Sequence, residues 1–207
     1  MLIKEYFQLL VPWLLVTLGI ISVCSWGRFC KFKQVWQKLL VLSVSAVITL
    51  TPIGGLSLAD YILSLNPNFS IGSLALIIVL LWSKLTGQPL LSNNNLWMFC
   101  LWNVVLSLLL FSSHLGVIPY DLYTCGYHFS LWFIIMAFIT LIAVWSWNPL
   151  FVIFSAYILA FNLKLLPSAN FFDYITDGFL LLMSLGLLVF LAASSKLNLS
   201  KSHSFTR

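Results

Sequence analysis

Apolar runs recur seven times along this chain, and the polar stretches between them never exceed roughly twenty residues, too few for a separate water-soluble core. A helix needs ~20 apolar residues to cross ~30 Å of hydrocarbon. Backbone N–H and C=O groups cannot be left unpaired in lipid, so runs of this kind are expected as helices. The pattern predicts spans over residues 6–26, 39–56, 69–82, 96–113, 129–147, 150–166 and 178–195, of which the third is the shortest. The fifth and sixth are separated only by Asn148 and Pro149, a cap residue followed by a residue suited to the first helical position, which predicts an antiparallel pair.

Composition points the same way. With 61% hydrophobic and 7% charged residues, the chain lies far from a soluble domain, where about a quarter of residues are charged. The expected fold class is therefore an all-α integral membrane protein, a bundle of about seven transmembrane helices (six to seven). Residues 1–195 are expected to form a single polytopic transmembrane domain, and residues 196–207 a basic, Ser-rich, disordered cytoplasmic tail.

Charge orients the bundle. Arg28, Lys31, Lys33, Lys38, Lys84, Lys196, Lys201 and Arg207 fall on one side of the predicted spans, and Asp60, Asp121, Asp173 and Asp177 on the other. Basic connections stay cytoplasmic, which places the N-terminus outside and the C-terminus in the cytoplasm. Only Lys4 and Lys164 depart from the bias, and Glu5 adjoins Lys4. The alternation holds only if the short third run crosses. The net charge of +5 thus reflects orientation, and no nucleic-acid partner is expected. The first run is expected to be retained rather than cleaved, since its basic cluster follows it instead of preceding it. Size, short loops and basic flanks fit a bacterial inner (cytoplasmic) membrane.

The outer connections hold the chemistry-bearing residues. In the first, Pro52, Gly54 and Gly55 break the second helix. Ser57 and Asp60 make a capping box for a short interfacial helix after span two, with Leu58, Tyr61, Ile62 and Leu65 at helical spacing. Asp60 and Tyr61 are binding candidates, with capping as the alternative role for Asp60. The second connection gathers His114, Tyr120, Asp121, Tyr123 and His128. Imidazole and carboxylate suit acid–base work, yet intervals of seven residues fit no compact ligand pair, and Tyr with His equally forms an interfacial aromatic belt. In the third, Asp173 and Asp177 share a face if the last helix starts early, and Lys164 is the expected ion-pair partner. Tyr120 and Tyr123 are further binding candidates, as is Asn103, a polar residue deep in the fourth span with Ser107 one turn later.

No charged residue lies near a span midpoint, which argues against a voltage sensor or an ion-coupled transporter built on buried carboxylates. Walker, dinucleotide, His-Glu-x-x-His and Gly-x-Ser-x-Gly patterns are absent. The four cysteines, Cys24, Cys30, Cys100 and Cys125, have no Cys-x-x-Cys spacing, so neither a cofactor nor a metal is expected. Three roles remain. The favoured one is a non-catalytic subunit or accessory factor of a cell-envelope assembly for glycan, lipid or protein export, binding another envelope membrane or periplasmic protein. The second is an outer-leaflet enzyme on a lipid-linked substrate, with His114, Asp121, His128, Asp173 and Asp177 as catalytic candidates converging on one cleft. The third is a small transporter or flippase, which requires a polar cavity reaching Asn103.

Overall fold

The computed structural model describes residues 2–26, 34–127, 131–146 and 148–204, the side chains of residues 2–6, 26, 132 and 195–204 excepted. Arg28, Lys31 and Lys33 of the basic cluster, and the candidate His128, lie outside the described residues. The chain is mostly helical: α1 (Leu2–Trp26), α2 (Val35–Leu50), α3 (Leu58–Leu65), α4 (Ile71–Thr86), α5 (Asn93–His114), α6 (Leu131–Trp145), α7 (Leu150–Asn162), α8 (Phe172–Ile175) and α9 (Gly178–Ser204). Two short antiparallel strands, β1 (Pro52–Ile53) and β2 (Leu56–Ser57), form a hairpin between α2 and α3. Gly54 and Gly55 turn it at φ of 68° and 96°, values costly for a side-chain-bearing residue.

Seven of the helices fall on the seven apolar runs. Two of them, over Phe7–Ser25 and Asn93–His114, are long and apolar enough to cross a membrane at 19 and 22 residues. The apolar stretches Val35–Leu50, Ile71–Thr86, Phe133–Trp145, Leu150–Asn162 and Gly178–Ser194 are shorter. Boundaries differ from expectation for local reasons. The second helix stops at Leu50 because Pro52 has no N–H to continue it. The third run extends to Thr86, where Gly87 closes it in the left-handed region at φ 74°. Helix α9 continues through Ser204, where a disordered tail was expected from residue 196; extending an existing helix is far easier than nucleating one. At the Asn148-Pro149 junction, Asn148 Oδ1 accepts from Leu150 N–H at 3.0 Å, and Pro149 takes a helical conformation immediately before α7.

The shortest predicted span turns out to be the central helix. Ile71, Gly72, Ser73, Leu74, Leu76, Ile77, Val79 and Leu81 of α4 are all buried, and Ile78 and Trp82 are the exposed large apolar residues of the helix. Its Leu74, Ile77 and Leu81 pack with Val11, Leu14, Leu18 and Ile21 of α1 in one cluster. Leu76 and Val79 join Phe99, Tyr157 and Leu180, from α5, α7 and α9, in a second and larger one. Helix α2 leans on α1, where Trp13 Nε1 donates to Leu42 O at 3.0 Å and Thr17 and Ser45 share a 2.6 Å hydroxyl bond. Close approach at α4 depends on Gly72: a Cβ there would lie 2.2 Å from Ile175 O and 2.6 Å from Leu180 Cδ2.

A Gly72→Ala substitution is therefore expected to destabilise the folded chain by roughly 1–3 kcal/mol through overpacking. Gly186, exposed on α9 with open space where a Cβ would stand, is the control: its Ala variant should gain up to about 1 kcal/mol from helix propensity. Thermal unfolding of the two variants beside the parent checks both signs.

Candidate functional site: an acidic cleft at the loop end

The ends of several helices meet around one carboxylate. Asp177, immediately before α9, accepts through Oδ1 from Leu180 N–H at 2.8 Å, which caps the helix. Its Oδ2 accepts from Ser70 N–H and from Ser73 Oγ–H, each at 2.6 Å. Ser70 is itself the N-cap of α4, with its Oγ accepting from Ser73 N–H at 3.0 Å. Two helix N-termini, each carrying about half a positive charge, thus face a single carboxylate.

The neighbouring loops are tied to this point. Ser107 of α5 and Thr176 share a 2.6 Å hydroxyl–hydroxyl bond. Tyr123 OH donates to Asp173 Oδ1 at 2.7 Å. Asn170 is fully buried; its Nδ2 donates to Tyr123 O at 2.8 Å and its Oδ1 accepts from Phe172 N–H at 2.9 Å. The same loop comes against Gly126, where Phe171 N–H donates to Gly126 O at 2.8 Å and a Cβ would collide with Asn170 Oδ1. Ser113 completes the fold of the 113–126 segment, donating to Tyr120 O and accepting from Leu122 N–H.

Between these segments lies a cleft of about 450 Å³. Asn66, Pro67 and Asn68, which precede α4, form one wall, and Leu110, Phe111 and His114 of α5 another. Tyr123, Asp173 and Asp177 supply a phenol and two carboxylates, and Ser107, Thr176 and Phe172 complete the lining. Three of the predicted catalytic candidates, His114, Asp173 and Asp177, therefore border one space. Asp121 does not: it is exposed and caps the 3-10 turn Leu122–Gly126 by accepting from Tyr123 N–H at 3.1 Å.

The remaining candidates separate as well. Asp60 completes the predicted capping box of α3, accepting from Ser57 N–H and Oγ–H at 2.7 Å each. The Ser57 side chain, then its backbone, hold the Asp60 carboxyl below its ordinary 3.8, so this cap is complete above that pH and is lost as pH falls below it. Tyr61 and Tyr120 are exposed and away from the cleft. Asn103 is fully buried one turn deeper than Ser107, with Nδ2 donating to Phe99 O and Oδ1 unpaired among the described residues. The cleft ends at the Ser107–Thr176 pair and does not extend to Asn103.

Two sequence expectations change. Asp173 and Asp177 do not share a helix face, because Asp173 lies in α8 and Asp177 caps the next helix. Lys164 pairs with neither carboxylate among the described residues: at φ 51° it is the left-handed residue that closes α7, and its side chain is exposed. Among the described residues no three His, Cys, Asp or Glu side chains are grouped so as to hold a metal ion. Asn66, Asn68, Thr176 and Asn170 do not stand out in the sequence; the Asn-Pro-Asn turn is the one local signal of their role. Comparison with protein families, with curated proteins and with solved structures finds no match to the chain.

Asp177→Ala is expected to lower stability by roughly 2–4 kcal/mol, combining a lost cap with unpaired donors at Ser70 and Ser73, while Asp177→Asn recovers part of it. Denaturant or thermal unfolding in detergent reads both. Burial, followed by the hydrogen bond to Asp173 and then the charge of that carboxylate, pushes the Tyr123 phenol above its ordinary 10.0. Above that pH the unfolded chain releases a proton that the folded chain retains, so stability falls as pH rises. Tyr123→Phe should flatten that alkaline decline, as read by unfolding across roughly pH 9 to 11.

Proposed function

We propose that the chain is a seven-span integral membrane protein of a bacterial inner membrane, with its N-terminus outside and its C-terminus in the cytoplasm. It serves as a non-catalytic subunit or accessory factor of a cell-envelope assembly for glycan, lipid or protein export. Its outer cleft holds the partner, or the lipid-linked group that the partner handles.

The observation that carries this reading is how the cleft's carboxylates are used. Both oxygens of Asp177 are taken by three donors that join α4 to α9, and Asp173 is steadied by Tyr123. Groups held in this way preorganise a surface for binding. A general acid or base instead needs a carboxyl free to exchange its proton with a substrate, which Asp177 is not.

Helix alternation supports the seven-span topology. The starts of α4 and α9 meet the outer end of α5 at the cleft, and Gln8 near the start of α1 reaches Asn68. At the opposite end Lys84 lies with Ser22 and Ser25 of α1, so the basic residue and the acidic cleft are separated by the length of α4. Helices of 13–16 residues, such as α2, α4 and α7, span only about 20–24 Å, which a thinner local bilayer accommodates.

A second reading, an outer-leaflet enzyme on a lipid-linked substrate, draws on the shared position of His114 and Asp173 along one cleft. Two measurements separate the possibilities. With the native cysteines replaced by Ser, the Asp121→Cys variant should react with an impermeant maleimide on intact cells and the Lys84→Cys variant should not; labelling of both would end the seven-span topology. A photo-crosslinker at position 68 should capture one stoichiometric envelope protein, and Asp173→Ala should release it. Substrate turnover by the isolated chain, abolished by His114→Ala, would decide for the enzyme.

A further inference from the structure

The cleft carries two carboxylates, and among the described residues no Lys or Arg lines it. The geometry points to a ligand whose head is a protonated primary amine on an apolar chain, its ammonium at Asp173 and its chain along Leu110 and Phe111. This rests on the cleft being a binding site, as proposed above.

The two carboxylates are not equivalent. Asp177 has both oxygens occupied, and its role in joining α4 to α9 leaves it a background negative charge. Asp173 receives Tyr123 OH on Oδ1, while its Oδ2 accepts no hydrogen bond from the described residues. It is half-buried, so an ammonium meeting it there is attracted more strongly than in open water. Such a pair is directional as well, because an ammonium has three donors to share between the carboxylate and nearby acceptors.

The walls discriminate among head groups. Leu110 and Phe172 make much of the lining apolar, and Phe111, exposed near the end of α5, adds aromatic surface that suits an alkyl chain. An anionic head would meet two like charges, with the His114 imidazole as the one basic side chain among the described lining residues. A neutral sugar would leave the carboxylate charge uncompensated as it is desolvated. A volume of about 450 Å³ accommodates a head group of this size together with the first carbons of its chain.

The test uses the full chain in phosphatidylglycerol nanodiscs doped equally with hexadecylamine and hexadecyl glucoside, with bound amphiphile counted by native mass spectrometry. One hexadecylamine per chain should be retained. Asp173→Asn should cut retention by roughly tenfold or more, since the amide still accepts from Tyr123 but carries no charge. Asp121→Asn, outside the cleft, should leave retention unchanged. Equal retention of glucoside and amine, indifferent to Asp173→Asn, would overturn the amine assignment and leave the cleft as a binding site. Retention of neither amphiphile by the unaltered chain would overturn the amine assignment, while the binding-site reading itself falls if the crosslinker at position 68 captures no partner.

Discussion

One carboxylate between two helix N-termini organises the loop end of this protein. The start of a helix presents unpaired N–H groups and the positive end of its dipole, and both demands are sharpest where water is scarce. Asp177 meets them for α9 through Leu180 N–H and for α4 through Ser70 N–H and Ser73 Oγ–H. Because α4 is buried around most of its circumference, setting its N-terminus also sets α1, α7 and α9, which pack around it. The hydroxyl pair at Ser107 and Thr176, one residue before Asp177, brings α5 to the same point.

The positions of the main helices were legible because apolar periodicity and turn chemistry are local properties. The hairpin glycines, the Ser57–Asp60 capping box and α3 also follow from neighbouring residues, and they are found where the sequence puts them. Helix α4 shows the limit of that reasoning. It is the shortest of the predicted spans and also, among the described residues, the most enclosed of the helices that fall on those spans, because burial depends on what surrounds a segment and not on how long it is.

The cleft was legible only in part, for a related reason. His114, Asp173 and Asp177 stand out as residue types, but the bonds that gather this region join distant segments: Tyr123 to Asp173, Asn170 to Tyr123, Phe171 to Gly126. No local pattern encodes such pairings. The expected Lys164 ion pair failed on backbone grounds, since a left-handed residue at the end of α7 turns the chain and leaves the side chain exposed. Asp121 falls outside the cleft because an Asp that caps a short turn looks, in sequence, the same as an Asp that faces a ligand.

The sequence separation of the Asp177 contacts has a further consequence, for biosynthesis. Ser70 and Asp177 are 107 residues apart, so α4 emerges from the ribosome long before its acceptor exists. Through that interval the N-terminus of the central helix has only Ser70 as a cap, and the Asn66–Asn68 wall faces no opposite side. The loop end is thus the last region to assemble. A chain terminated before residue 177 would carry the first six apolar helices and an open, unpaired α4 N-terminus, a state that a quality-control protease can distinguish from the finished molecule.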